Sequence, residues 1–165
     1  MEEQAQQRAQ ARRLLTHPGV GAVTALATEV FLGDPSRFAT ANQVASYIGM
    51  IPCEHSSGKR QRLGKLSKEG NSLLRYLWTE ATLHAAVKDP ELKRFYRRKL
   101  VQKGMGKARV ATARQLGIRL WIMLRDEIDY EEFCRRGKLP QKGKAHAGMP
   151  AYNSGPARAV TGSTE

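Results

Sequence analysis

Ser72-Leu73-Leu74-Arg75-Tyr76-Leu77-Trp78-Thr79-Glu80-Ala81-Thr82-Leu83-His84-Ala85 is the stretch whose periodicity decides the fold. Leu73, Leu74, Leu77, Trp78, Ala81 and Ala85 recur at spacings of three and four residues, which places them along the core side of an α-helix. A half-buried strand would need alternation, and none is sustained anywhere in the chain. Ser67 can cap this helix. Downstream, Asp89-Pro90 supplies an N-cap and a first-turn proline for a helix marked by Leu92, Phe95, Tyr96 and Leu100 and ending near Gly104. Lys107 to Arg125 predicts a last long helix that buries Val110, Ala113, Gly117, Leu120, Trp121 and Leu124. Upstream, Glu2 to Leu15 is rich in the helix formers Ala, Gln and Arg. His17-Pro18-Gly19-Val20-Gly21 breaks the chain sharply, and Ala22 to Phe31 resumes with small and apolar residues, so the two helices pair as a tight hairpin. Thr40 can cap a short helix from Ala41 to Ile48 that Gly49 ends.

The fold class is therefore all-α, a compact multi-helix domain opening with a helix-hairpin-helix-like unit. Residues 1–12 read as a helical lead-in and 13–133 as the domain, with the hairpin at 13–31 and a serine-bearing basic loop at 51–66. Residues 137–165 carry Gly, Pro, Ser and Lys without periodicity and are expected to be a disordered basic tail.

A chain of 165 residues can bury one core, yet its 28 Lys and Arg against 15 Asp and Glu leave +13. That excess points to a polyanionic partner. Nucleic acid is favoured over a membrane, because no apolar run approaches the ~20 residues a bilayer requires. Met1-Glu2-Glu3-Gln4 is polar and acidic, unlike a secretory signal, so the cytoplasm is the expected compartment. Cys53 and Cys134 are too few for a disulfide framework and read as reduced thiols.

Three constellations could carry chemistry. Pro18-Gly19-Val20-Gly21 resembles the turn of a helix-hairpin-helix motif, where Gly19 and Gly21 would let backbone approach a phosphate at the start of the next helix. The bland reading is a turn that merely reverses the chain. Lys59, Arg60, Arg62, Lys65 and Lys68 crowd the loop, and a second basic stretch runs from Lys93 to Arg109 without an acidic residue. Charge runs usually mark a solvated face, but this density lacks neutralising carboxylates, which favours phosphate contact without base readout. His55-Ser56-Ser57-Gly58 lies inside the loop cluster, where cations could stabilise charge developing on a phosphate under attack. Taken alone, Ser-Ser-Gly is more often plain loop than nucleophile. Cys53-Glu54-His55 lacks a second ligand pair, since Cys134 and His146 are isolated, so no metal site is expected.

Leu14-Leu15-Thr16-His17-Pro18-Gly19-Val20-Gly21, Phe38 with Ala45-Ser46-Tyr47-Ile48-Gly49-Met50-Ile51-Pro52, and Ser56-Ser57-Gly58-Lys59 with Gly64-Lys65-Leu66-Ser67-Lys68-Glu69-Gly70-Asn71 follow one another in a recognisable order. In order and spacing they resemble the bacterial insertion-sequence transposases of the one-ten family, with its one-sixteen and nine-oh-two relatives. The likeness runs from about Arg12 to about Tyr130 and matches the family's C-terminal domain. It implies DNA as partner and Ser57 as a nucleophile that becomes covalently joined to a DNA phosphodiester, with Ser56 the neighbouring alternative. It also implies that Lys59, Arg60, Lys68, Asn71 and Arg75 contact phosphate or nucleic acid. In the family a separate acidic nuclease domain binds Mg²⁺, some members use a structured guide RNA, and the complete protein is expected to oligomerise. No acidic tetrad precedes Leu14, so the chain reads as truncated, with no cofactor of its own, Mg²⁺ only in the missing domain, and that domain supplied upstream or in trans. Two other readings stand beside a recombinase domain: a catalytically silent DNA-binding remnant, and a small basic RNA-binding protein.

Overall fold

The structure, a computed structural model, describes residues 1–54 and 63–138. Among these residues eight α-helices surround one core: α1 Glu2–Gln7, α2 Ala9–Leu15, α3 Ala22–Leu32, α4 Ala41–Tyr47, α5 Ser72–Lys88, α6 Pro90–Lys103, α7 Met105–Arg125 and α8 Tyr130–Lys138. A 3₁₀ turn, Pro35–Arg37, links α3 to α4.

The expected stripe on α5 builds the centre. Leu74, Trp78, Ala81 and Ala85 are buried, and α5 packs against α3, α6 and α7. Trp78 lies flat on α7 at Gly117, where a Cβ would fall 1.9 Å from its ring, so only glycine permits this approach. Its indole Nε1 donates to Thr28 Oγ1 on α3 at 2.9 Å, which satisfies the one polar atom the ring brings inside. Leu73 corrects the predicted stripe: it is 51% exposed, because it sits one residue before Leu74 and the helical turn carries it around to solvent.

Thr40 caps α4 by accepting from Gln43 N, and Asp89 caps α6 by accepting from Glu91 N and Leu92 N at 2.7 and 2.9 Å, as the sequence predicts. Ser67 does not cap α5. Asn71 does, with Oδ1 accepting from Leu74 N at 2.9 Å, since the helix starts only at Ser72, well beyond Ser67. The single helix expected over Glu2–Leu15 is two, broken at Arg8, which is extended (φ −95°, ψ 117°) while its guanidinium pairs with Glu29. The break folds α1 back so that Ala5 is buried against α3.

The stretch expected to be plain loop contains a short antiparallel ribbon, β1 Pro52–Glu54 and β2 Leu63–Leu66. Strands of three and four residues are too short to show alternation, and an irregular register between Pro52 and Glu54 blurs it further. The last helix, α8, lies beyond the predicted one and extends through Gly137 to Lys138; the rest of the expected tail, 139–165, falls outside the described residues. Among the described residues no helix is long and apolar enough to cross a membrane.

Candidate nucleic-acid interface

The ribbon is held at its root by two backbone crossings. Gly49, at φ 74°, lies so close to Glu69 that a Cβ there would be 2.0 Å from the Glu69 carbonyl oxygen. Gly70, at φ 112°, meets the Tyr47 carbonyl oxygen in the same way at 2.1 Å. Lys68 N donates to Gly49 O and Ser67 N to Ile51 O, so the chain leaving β2 is stitched to the chain entering β1. Arg75 Nη1 completes the joint by donating to Ile48 O at 2.8 Å. Asn71 and Arg75 thus have local structural duties under the ribbon, whereas Lys68, held at φ 54°, is exposed.

Glu54 pairs with Leu63, the two residues that flank 55–62 in the sequence. Ser56, Ser57, Lys59, Arg60 and Arg62 belong to that segment and lie outside the described residues. Lys65 is on β2, and only its backbone is described.

Gly19 and Gly21 form a second, separate group. Gly19, at φ 87°, packs on α5, where a Cβ would stand 2.3 Å from Ala85 N. Gly21 begins α3, is exposed, and has nothing within 4 Å of its Cβ position. Asn71 and Ala85 are separated along α5 by about 20 Å at a rise of ~1.5 Å per residue. The sequence-predicted residues that are described, Lys68, Asn71 and Arg75 on one side and Gly19 and Gly21 on the other, therefore form two foci, one at each end of this helix.

Sequence reasoning missed a buried polar cluster that braces the second focus. Asp89 Oδ2 accepts from Arg119 Nη1 at 2.5 Å and from the Tyr130 hydroxyl at 3.0 Å, and lies 3.9 Å from His17 Nε2. Burial would raise the Asp89 carboxyl, but the Leu92 N–H, Arg119 and Tyr130 outweigh it and hold it below its ordinary value. His17 is wholly buried, with Nδ1 at 3.0 Å from the Pro18 carbonyl and Tyr130 edge-on at 4.7 Å. That contact fits a neutral ring carrying its proton on Nδ1. Burial pushes the imidazole down to about 4, against smaller raising effects from Pro18 and Asp89. The Asp-Pro cap was the available signal for Asp89. Nothing local marks His17 or Arg119 as its neighbours.

Among the described residues no three His, Cys, Asp or Glu side chains converge in a group that could hold a metal ion.

Paired strands thus flank the serine-bearing stretch of sequence, with exposed Lys68 at the root of the ribbon. The profile of the Transposase IS116/IS110/IS902 family matches residues 11–97, more than half of the chain, and the chain belongs to that family. It is 32% identical over 123 residues to the transposase for insertion sequence element IS1111A of Coxiella burnetii, covering 72% of this chain and 34% of that protein. It is 42% identical over 69 residues to a probable family 20 transposase of Pseudomonas aeruginosa, covering 42% and 20%. An insertion element IS110 protein of 43.6 kDa from Streptomyces coelicolor is 34% identical over 122 residues, covering 72% and 29%. The chain thus spans about a third or less of the length of these relatives.

Proposed function

We propose that this chain is the DNA-engaging, serine-bearing part of a transposase, and that Ser57 is its nucleophile. The observation that carries the reading is the ribbon root. Interlocked Gly49 and Gly70, with Lys68 beside them, hold the root of a ribbon whose paired residues Glu54 and Leu63 flank the segment holding Ser57. A nucleophile benefits from such fixing, because holding reactants in place removes much of the entropic barrier.

In the proposed step Ser57 Oγ forms a bond to a DNA phosphorus while a phosphorus–oxygen bond of the backbone breaks. The proton lost by the hydroxyl is matched by the one gained by the departing deoxyribose oxygen. The phosphodiester survives as a phosphoserine linkage, so a DNA hydroxyl can reverse the step on a different strand without external energy. Lys59, Arg60, Arg62, Lys65 and Lys68 would balance phosphate charge, and Gly21 with the first N–H groups of α3 would meet the backbone at the other focus. A complementing acidic domain, a structured guide RNA and assembly into an oligomer belong to the same proposal, since the chain spans only part of its relatives.

The test mixes the chain with the acidic domain of a related element, that element's guide RNA and its DNA substrate, and seeks protein-linked DNA on a denaturing gel. Ser57→Ala should abolish the adduct and leave DNA affinity nearly unchanged, because one neutral hydroxyl adds little to a phosphate-dominated interface. Ser56→Ala should be milder. Adducts that survive Ser57→Ala would move the nucleophile elsewhere, and no adduct with the intact chain would favour a silent DNA-binding remnant.

A further inference from the structure

Between Glu91 and Asp126 the sequence holds eleven Lys and Arg and no Asp or Glu. The fold sorts these cations into two sets. Arg109, Arg114, Arg119 and Arg125, all on α7, are matched with Glu80, Asn42, Asp89 and Asp126. The other seven lie between Lys93 and Lys107, and none of them forms an ion pair among the described residues.

Arg94, Arg97, Arg98 and Val101 follow one another at helical spacing on the side of α6 opposite buried Leu92. The helix then ends at a corner made by one residue, Gly104 at φ 77°, from which α7 starts immediately. All residues from Val101 to Lys107 are exposed, and the corner carries Val101 at 90% and Met105 at 70% exposure. Apolar side chains on a projecting corner, ringed by unmatched cations, are costly to leave in water unless a partner covers them.

We propose that the α6–α7 corner is a wedge for duplex DNA. Arg94, Arg97, Arg98 and Lys103 hold backbone phosphates, and Val101 and Met105 press between base pairs and kink the duplex. Charge complementarity selects the partner: a duplex carries a negative charge about every 1.7 Å of its axis, a density that unpaired cations in a row on a helix can neutralise. Apolar wedges flanked by basic residues are also the usual means by which proteins unstack a base step and bend DNA. The inference rests on the DNA-engaging function proposed for the chain. Val101 and Met105 fall outside residues 11–97, so membership of the family does not assign them this role.

The experiment uses the full chain and a duplex of about 30 base pairs carrying end fluorophores and a 2-aminopurine. The wild type should shorten the end-to-end distance by a kink of about 20° or more and brighten the 2-aminopurine as its step unstacks. Val101→Ser with Met105→Ser should lose both signals while keeping the salt dependence of binding. Arg97→Glu with Arg98→Glu should weaken affinity about tenfold or more at low salt. These positions are exposed, so unchanged helicity and melting would show that both variants fold. Ser57→Ala should bend DNA like the wild type, which separates failure of the wedge from failure of the nucleophile. Three results would each overturn the proposal: no distortion by the wild type, full distortion by the serine pair, or equal affinity of the arginine pair. Tighter binding to a duplex RNA of the same sequence would overturn it as well, because the surface would then fit an A-form helix better than duplex DNA.

Discussion

His17 carries the most direct prediction at the scale of the single residue. Its imidazole titrates near 6.5 in the unfolded chain and near 4 in the folded one, so the unfolded state binds the extra proton between those values. Stability is fully present above pH 6.5 and falls as the pH drops toward 4. The loss approaches roughly 3 kcal/mol, at ~1.4 kcal/mol for each tenfold rise in proton concentration across that window. Asp89 does not blur the window, because its carboxyl is held below 3.8 and its own contribution disappears only at lower pH. Urea denaturation at pH 7 and pH 4.5 should show the fall, and His17→Gln should flatten it. An equal slope in the variant would place the effect on another group. The motif residue His17 thus has a packing duty: it fills the space between the Pro18-Gly19 turn and the Asp89–Arg119 pair.

At the scale of the element, the ribbon depends on its glycine crossing more than on its few strand hydrogen bonds. Gly49→Ala should cost about 2 kcal/mol or more, since it combines a left-handed conformation with a collision against the Glu69 carbonyl. Gly21→Ala is the control, with an ordinary φ of −93° and open space, and should stay within about 0.5 kcal/mol. Chemical denaturation midpoints would compare them, and equal losses would show that the crossing does not hold the ribbon. The elements that were legible in sequence share one trait: their signals are local. Trp78 and Leu74 repeat within one helix, and Thr40, Asp89-Pro90 and Gly104 mark ends by their own chemistry. The ribbon escaped because its pairing is set by Gly49 meeting Glu69 and Gly70 meeting Tyr47, contacts between segments about twenty residues apart. The cluster of His17, Asp89 and Arg119 escaped for the same reason, and because charged residues read as surface until a partner is known. For the candidate site, Lys68, Asn71, Arg75 and the two glycines were visible as residue types. Their division between the two ends of α5 was not.

For the whole molecule, the decisive quantity is where the +13 sits. Arg109, Arg119 and Arg125 of α7 pair with internal carboxylates, whereas the seven cations from Lys93 to Lys107 form no ion pair among the described residues and are left for an external polyanion. Duplex DNA should therefore bind with little sequence preference and a steep salt dependence. About six phosphate contacts give a log–log slope of roughly −5, or about a thousandfold loss between 50 and 200 mM salt. Titrations at several salt concentrations would measure it, and charge reversal at Lys59, Arg60 and Lys68 should weaken binding and flatten the slope. A salt-independent affinity would remove the electrostatic argument.

Helix α5 also sets a length. The exposed foot of the ribbon and the Gly19–Gly21 turn stand at its two ends, so a straight duplex lying along it would be touched at points about six base pairs apart, at 3.4 Å per pair. That is a little over half a helical repeat. On one face of B-form DNA the grooves alternate at nearly that interval, so the two ends of α5 would meet successive grooves, one wide and one narrow. The helix that fills the core would then act outside it as a calliper, admitting DNA in a fixed rotational phase even though no base has been read.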